Sequence, residues 1–80
     1  MTNLQKLIKS SRKTQGLTQS QLAKALGYKS LQFVSNWERG VSSPPTDRYE
    51  RLCRILKIPK IEFRLALVED FEDRLRSVIN

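Results

Sequence analysis

Apolar residues recur three and four apart along most of this chain, the spacing that lines one face of an α-helix. Leu4, Leu7 and Ile8, with Ser11, predict an amphipathic helix from Asn3 to Gln15, closed by Gly16. Thr18 and Gln21 stand at capping-box spacing, so a second helix starts at Gln19. Its stripe of Leu22, Ala23 and Leu26 is narrow, and Gly27 ends it after Leu26. Ser30 is placed to cap a third helix whose buried face is Leu31, Val34 and Trp37, with Gly40 as its stop. The loop VSSPPT follows, because paired prolines lack two backbone donors and push Ser43 out of helical angles. Thr46 or Asp47 then caps a fourth helix to Lys57, with Tyr49, Leu52, Cys53 and Leu56 along one side. Pro59 suits the first turn of a fifth. No β-alternation of useful length is present, so the expected fold is all-α.

The second and third helices form a unit. Both are short, a small Ala23 sits where they cross, and a glycine-containing turn joins them, which is the pattern of a helix-turn-helix whose second helix lies in the DNA major groove. The outward face of that helix is Gln32, Ser35, Asn36 and Arg39. Gln and Asn present a donor and an acceptor on one planar amide, the geometry that pairs with adenine N6 and N7; Arg offers forked donors to guanine or phosphate. The same residue types cover many solvated helices, so the face alone does not decide between base reading and solubility.

Charge decides. The 80 residues carry a formal +7 at neutral pH, and the distribution is uneven: residues 1–60 hold twelve Lys or Arg against three acids, while residues 61–80 hold three against five. A polyanion is drawn to the basic body and away from the acidic tail. Two units are expected, a helix-turn-helix DNA-binding domain over residues 1–63 and a C-terminal helix over 61–80 continuous with it. A core of this size is marginal unless it is well packed or shared with a second copy.

Other chemistries are excluded by what is missing. With no His and the single Cys53 there is no zinc ligand set of the usual kind, no His-based acid–base or nucleophilic pair, and no intramolecular disulfide. No glycine-rich phosphate loop is present. The expectation is a non-enzyme with no cofactor, no metal and no small-molecule ligand, in which Cys53 is a small core residue. No segment approaches the roughly 18 apolar residues of a membrane span, and MTNLQKLIKSSRK lacks the apolar run of a signal peptide. A reduced Cys53 fits a cytoplasmic protein without a membrane partner.

Joined together, Arg12, GLTQSQLAKALG (Gly16 to Gly27), FVSNWERG (Phe33 to Gly40), the paired prolines and the LxxILKI helix (Leu52 to Ile58) resemble the Cro/phage-repressor (XRE-type) helix-turn-helix family over Leu4 to Phe63. The resemblance implies a five-helix, repressor-like domain, usually a transcriptional regulator that binds an operator as a dimer. It implies phosphate contacts from Thr18, Gln19 and Ser30 at the helix starts and from Arg39 and Ser42 in the loop beyond the third helix. Base contacts are implied for Gln32, Ser35 and Asn36, with Lys29 in the turn beside them. Arg12 and Glu38 look like the family's structural ion pair. Two departures stand out. The segment from Gly27 to Val34 is one residue longer than in short-turn relatives, which leaves Lys29, Ser30, Leu31 and Gln32 as alternatives for the first side chain to reach the groove. The loop after Glu38 is rich in serine where several relatives are basic. Tyr28 has two readings, a half-buried packing residue or a DNA contact.

Beyond the resemblance, Ile61, Leu65, Val68, Phe71, Leu75 and Val78 step by four, three, three, four and three residues, near the coiled-coil repeat. Either this stripe folds back on its own core or it pairs with a second copy. A homodimer seam through Val68, Phe71, Leu75 and Val78 is the favoured reading, because one short reading helix needs two half-sites. The sequence thus points to a repressor or autoregulator binding double-stranded DNA as a homodimer. The alternatives are an antitoxin whose C-terminal helix masks a toxin, and a protein-interaction module with no role on DNA.

Overall fold

Five α-helices and a 3-10 turn succeed one another in the computed structural model, which describes residues 3–79: α1 (Asn3–Thr14), α2 (Gln19–Ala25), α3 (Gln32–Glu38), the turn Thr46–Arg48, α4 (Tyr49–Leu56) and α5 (Lys60–Ile79). Met1, Thr2 and Asn80, at the outer ends of the two expected units, lie outside the described residues. The all-α expectation holds, and the described residues contain no strand.

Local chemistry sets the ends of α2 and α3. At the start of α2 the Thr18 hydroxyl accepts the Gln21 N–H at 3.0 Å, while the Gln21 side-chain oxygen accepts the Thr18 N–H at 2.8 Å. Both halves of the capping box are made. At its end Gly27 takes φ of +87°, and Tyr28 N–H donates back to the Ala23 carbonyl at 2.9 Å. Gly40 ends α3 in the same way, at φ of +74° with Val41 N–H on the Asn36 carbonyl at 2.9 Å. A side chain at either glycine would add about 1–2 kcal/mol of backbone strain.

The start of α3 departs from expectation. The Ser30 hydroxyl does accept a backbone N–H, from Gln32 at 3.1 Å, but the cap position belongs to Leu31, and Leu31 is 41% exposed rather than buried. Val34 and Trp37 lie within the helix on its core side, whereas Leu31 stands at the cap position, before α3 proper begins. The fourth helix also begins later than expected. Thr46 and Asp47 form a 3-10 turn after an extended Pro45, with no side-chain cap, and α4 proper starts at Tyr49.

Leu4 and Ile8 of α1, Leu22 and Leu26 of α2, Val34 and Trp37 of α3, Leu52 and Leu56 of α4, and Phe63 and Ala66 of α5 meet in one core. Cys53 is buried among them, and burial pushes its thiol up from the usual range, with Lys60 opposing. Thiolate, the reactive form, is suppressed there.

The fifth helix has two faces. Phe63, Ala66 and the half-buried Leu67 and Asp70 look inward. Asp70 holds the start of α1, accepting the backbone N–H groups of Asn3 at 2.7 Å and Leu4 at 3.2 Å, and Glu69 accepts from the Asn3 side chain at 2.6 Å. Ile61, Leu65, Val68, Phe71, Leu75 and Val78 lie on the other side, between 40% and 78% exposed. From Phe71 to Ile79 every residue is exposed. Twenty helical residues span about 30 Å, while the two shorter dimensions of the molecule are 24 and 22 Å, so the end of α5 projects past the domain.

Candidate nucleic-acid interface

Seven residues make α3, and its three buried side chains, Val34, Trp37 and Glu38, fix which way it faces. Gln32 and Arg39 are exposed on the opposite side, with Ser35 and Asn36 half-buried between them. These polar groups are tied together. Asn36 Oδ1 accepts from Gln32 Nε2 at 2.9 Å and from Arg39 Nη2 at 2.7 Å, and Arg39 Nε donates to the Ser35 hydroxyl at 3.3 Å. The four side chains expected on the outward face therefore form one hydrogen-bonded row, one turn apart along the helix.

The other expected contacts lie outside this row. Lys29 and Ser30 are exposed in the turn leading into α3. Ser42 is exposed just past Gly40. Thr18 is exposed at the start of α2, its hydroxyl engaged in the capping box. Gln19 is more tightly engaged than the sequence suggests, because its side-chain nitrogen donates to Glu38 Oε1 at 3.1 Å.

That bond joins Gln19 to a buried ion pair. Arg12 Nε donates to Glu38 Oε2 at 2.6 Å and Arg12 Nη2 to Oε1 at 3.0 Å, the fork-to-fork geometry of a bidentate pair. A third guanidinium donor, Nη1, reaches the Leu17 carbonyl at 2.7 Å, and Gln5 donates to the Glu38 carbonyl at 2.8 Å. Burial opposes charge on Glu38, but hydrogen bonds from Arg12 and Gln19 and the charges of Arg12 and Lys9 outweigh it, so the carboxyl titrates below its ordinary range. The Glu38 bond raises the Arg12 pKa against the cost of burial. The pair fastens α1, the start of α2 and the end of α3 to one another, which sets the angle at which the outward row is presented.

Tyr28 is half-buried, and its ring lies 4.7 Å from Phe33, meets Trp37 edge-on at 5.9 Å, and carries the Arg48 guanidinium at 5.1 Å. Two cations nearby gave no local signal. Arg48 and Arg51 come from beyond the proline loop, and Arg51 reaches within 4.0 Å of where a Cβ on Gly27 would stand. Only the folded chain brings these cations to the turn. Phe33 is 52% exposed beside the polar row.

The family model for helix-turn-helix proteins of the Cro/C1 type (XRE) matches residues 8–63, which contain all of α2, α3 and α4 and the ion pair. The chain belongs to this family. It is accordingly a DNA-binding transcription regulator of the XRE type, and the family is regulatory rather than enzymatic. Neither the curated proteins nor the solved structures contain a match to the chain. Among the described residues no helix is long and apolar enough to cross a membrane, and no cluster of His, Cys, Asp or Glu is arranged to hold a metal.

Proposed function

We propose that this XRE-type regulator binds an operator as a homodimer and represses transcription, its own gene included. The helix-turn-helix domain, residues 1–63, reads one half-site, and the C-terminal segment, residues 61–80, joins two copies through α5. The observation that carries this reading is the exposed apolar stripe of α5, from Val68 through Phe71 and Leu75 to Val78, on the side turned away from the chain's own core. An apolar row of this length on a projecting helix is stabilised by a second helix of the same kind.

On DNA, α3 enters the major groove. Gln32 and Asn36 address base edges through their amides, with Ser35 and Lys29 beside them, and Thr18, Gln19, Ser30, Arg39 and Ser42 address phosphates. The basic body steers the encounter and makes it sensitive to salt. Bound across a promoter, such a dimer excludes polymerase, which is the simplest route to repression by a domain with no catalytic groups.

Two measurements test the proposal together. A mobility-shift titration on the DNA upstream of the gene, with random duplex as competitor, is expected to show retention that competitor does not abolish. Light scattering on the free protein is expected to give twice the 9.3 kDa chain mass. Equal affinity for upstream and random DNA would sink the operator reading, and a monomer at micromolar concentration would sink the seam. A stripe that stays monomeric alone and binds only a co-encoded protein would favour the antitoxin reading, in which that partner covers the same residues.

A further inference from the structure

Phe33 is the largest apolar surface on the outward side of α3, and neither the core nor the α5 stripe uses it. It is 52% exposed, and Leu31, two residues earlier, is 41% exposed. Helical geometry places Phe33 about 100° from Gln32 and about 60° from Asn36 around the axis. It therefore stands on the flank of the polar row, on the side of the turn. One part of its ring is covered by Tyr28, at 4.7 Å and a tilt of 31°. Tyr28 is itself held between Trp37 and the Arg48 guanidinium. The phenyl ring is thus backed by a fixed aromatic platform, and its uncovered part faces the same solvent as Gln32.

A half-exposed phenyl beside two amides is poorly suited to water and well suited to a surface that is mostly polar with isolated apolar points. The major groove is such a surface. Its one apolar group on the unmodified bases is the C5 methyl of thymine. We propose that Phe33 is a specificity-determining residue that reads thymine, its exposed edge packing on a C5 methyl next to the base pair addressed by Gln32. The inference rests on α3 being the reading helix. Phe33 supplies shape and dryness where the amides supply hydrogen bonds, and it discriminates thymine from cytosine, which lacks the methyl. Because Tyr28 already holds the ring, little side-chain freedom remains to be lost on contact.

The test starts from duplexes enriched by the full-length chain out of a random pool. In the enriched site each thymine is replaced in turn by deoxyuridine, which removes only the methyl. Wild-type protein is expected to lose about fourfold in affinity at one thymine per half-site, the worth of one buried methyl-sized group. Phe33→Ala is expected to bind the thymine and uracil duplexes equally, and Phe33→Leu, which keeps an apolar tip but not the ring stack, to retain a penalty. Binding to random duplex is expected to change less than binding to the enriched site in both variants. Tolerance of uracil at every position by the wild-type protein overturns the inference, as does a penalty that persists undiminished in Phe33→Ala. If the pool yields no enriched sequence, base reading by α3 fails and Phe33 fails with it, an outcome distinct from an enriched site that is indifferent to the methyl.

Discussion

Replacing Arg12 by Ala removes the cation from a carboxylate whose side chain is 2% exposed. Glu38 keeps the Gln19 amide at 3.1 Å but loses both guanidinium bonds, and the Leu17 carbonyl loses its donor as well. Breaking a buried pair from one side costs about 3–5 kcal/mol, against under about 1 kcal/mol for an exposed pair. A domain of this size is stable by only about 4–12 kcal/mol, so the change removes a large share of the total. At about 4–8 °C per kcal/mol, Arg12→Ala is expected to melt at least about 12 °C below wild type, measured by circular dichroism at fixed protein concentration. Glu38→Ala should be comparable, since it strands the cation instead. The combined variant Arg12→Met with Glu38→Leu leaves no unpaired charge and is expected to cost less than either single change. The pair also has a pH signature. Because the folded carboxyl titrates below its unfolded value of about 4.3, its contribution is complete above that value and is lost as pH falls through the lowered folded one. Wild type should therefore lose stability more steeply than the Met and Leu variant below about pH 4. A melt of Arg12→Ala within about 4 °C of wild type would refute the reasoning, because it would mean that the pair behaves as if solvated.

Three further outcomes are expected. Leu75→Asp places a charge in the proposed seam and should yield monomers in light scattering with weakened operator binding; a mutant that stays dimeric would move the interface elsewhere. Gln32→Ala and Asn36→Ala should each cost about 1–3 kcal/mol on the operator and little on random DNA, whereas Arg39→Ala should weaken both and lower the salt slope by about one unit. Isotherms over a salt series separate the two behaviours, and equal losses on both DNAs for the amide variants would contradict the reading face. Asp70→Ala removes the acceptor for two N–H groups at the start of α1 and should cost about 0.5–2 kcal/mol, while Asp70→Asn should recover most of it; identical denaturant midpoints for Ala and wild type would show that the cap contributes nothing.

Much of this was legible because its causes are local. The capping box needs only Thr18 and Gln21 three residues apart, and Gly27 and Gly40 mark left-handed stops that few other residues tolerate. The stripes of Leu22, Val34, Trp37, Leu52 and Leu56 follow from helical period alone. The groups that were not legible depend on long-range placement. Asp70 caps a helix that begins 67 positions earlier in the chain, and nothing in the sequence around either residue announces the bond. Gln19 reads as a first-turn residue near phosphate until the fold delivers Glu38 to it. Leu31 departs from its spacing for a different reason: it stands at the cap position, ahead of the helix whose face it would continue. The place of Phe33 on the flank follows from the helical period, but the ring that backs it emerges only once Tyr28 folds against it.

The hydrogen-bonded row on α3 has a consequence for how an operator is written. Gln32 and Arg39 both donate to a single acceptor, Asn36 Oδ1, so on the proposed reading face Gln32 and Asn36 would not be independent letters in a code. Exchanging Asn36 removes the anchor that orients its two neighbours, so the base preference of Gln32 is expected to shift along with that of Asn36, and the phosphate grip of Arg39 with them. Variants of this face are then expected to change preference in blocks of neighbouring base pairs, and a table of one residue against one base will describe them poorly. The row also offers its groups an alternative to every mismatched site, because amides and guanidinium that find no complementary base can return to one another. The penalty for a wrong sequence is softened to that extent. A family of related operators, graded in affinity, suits such a surface better than one stringent site.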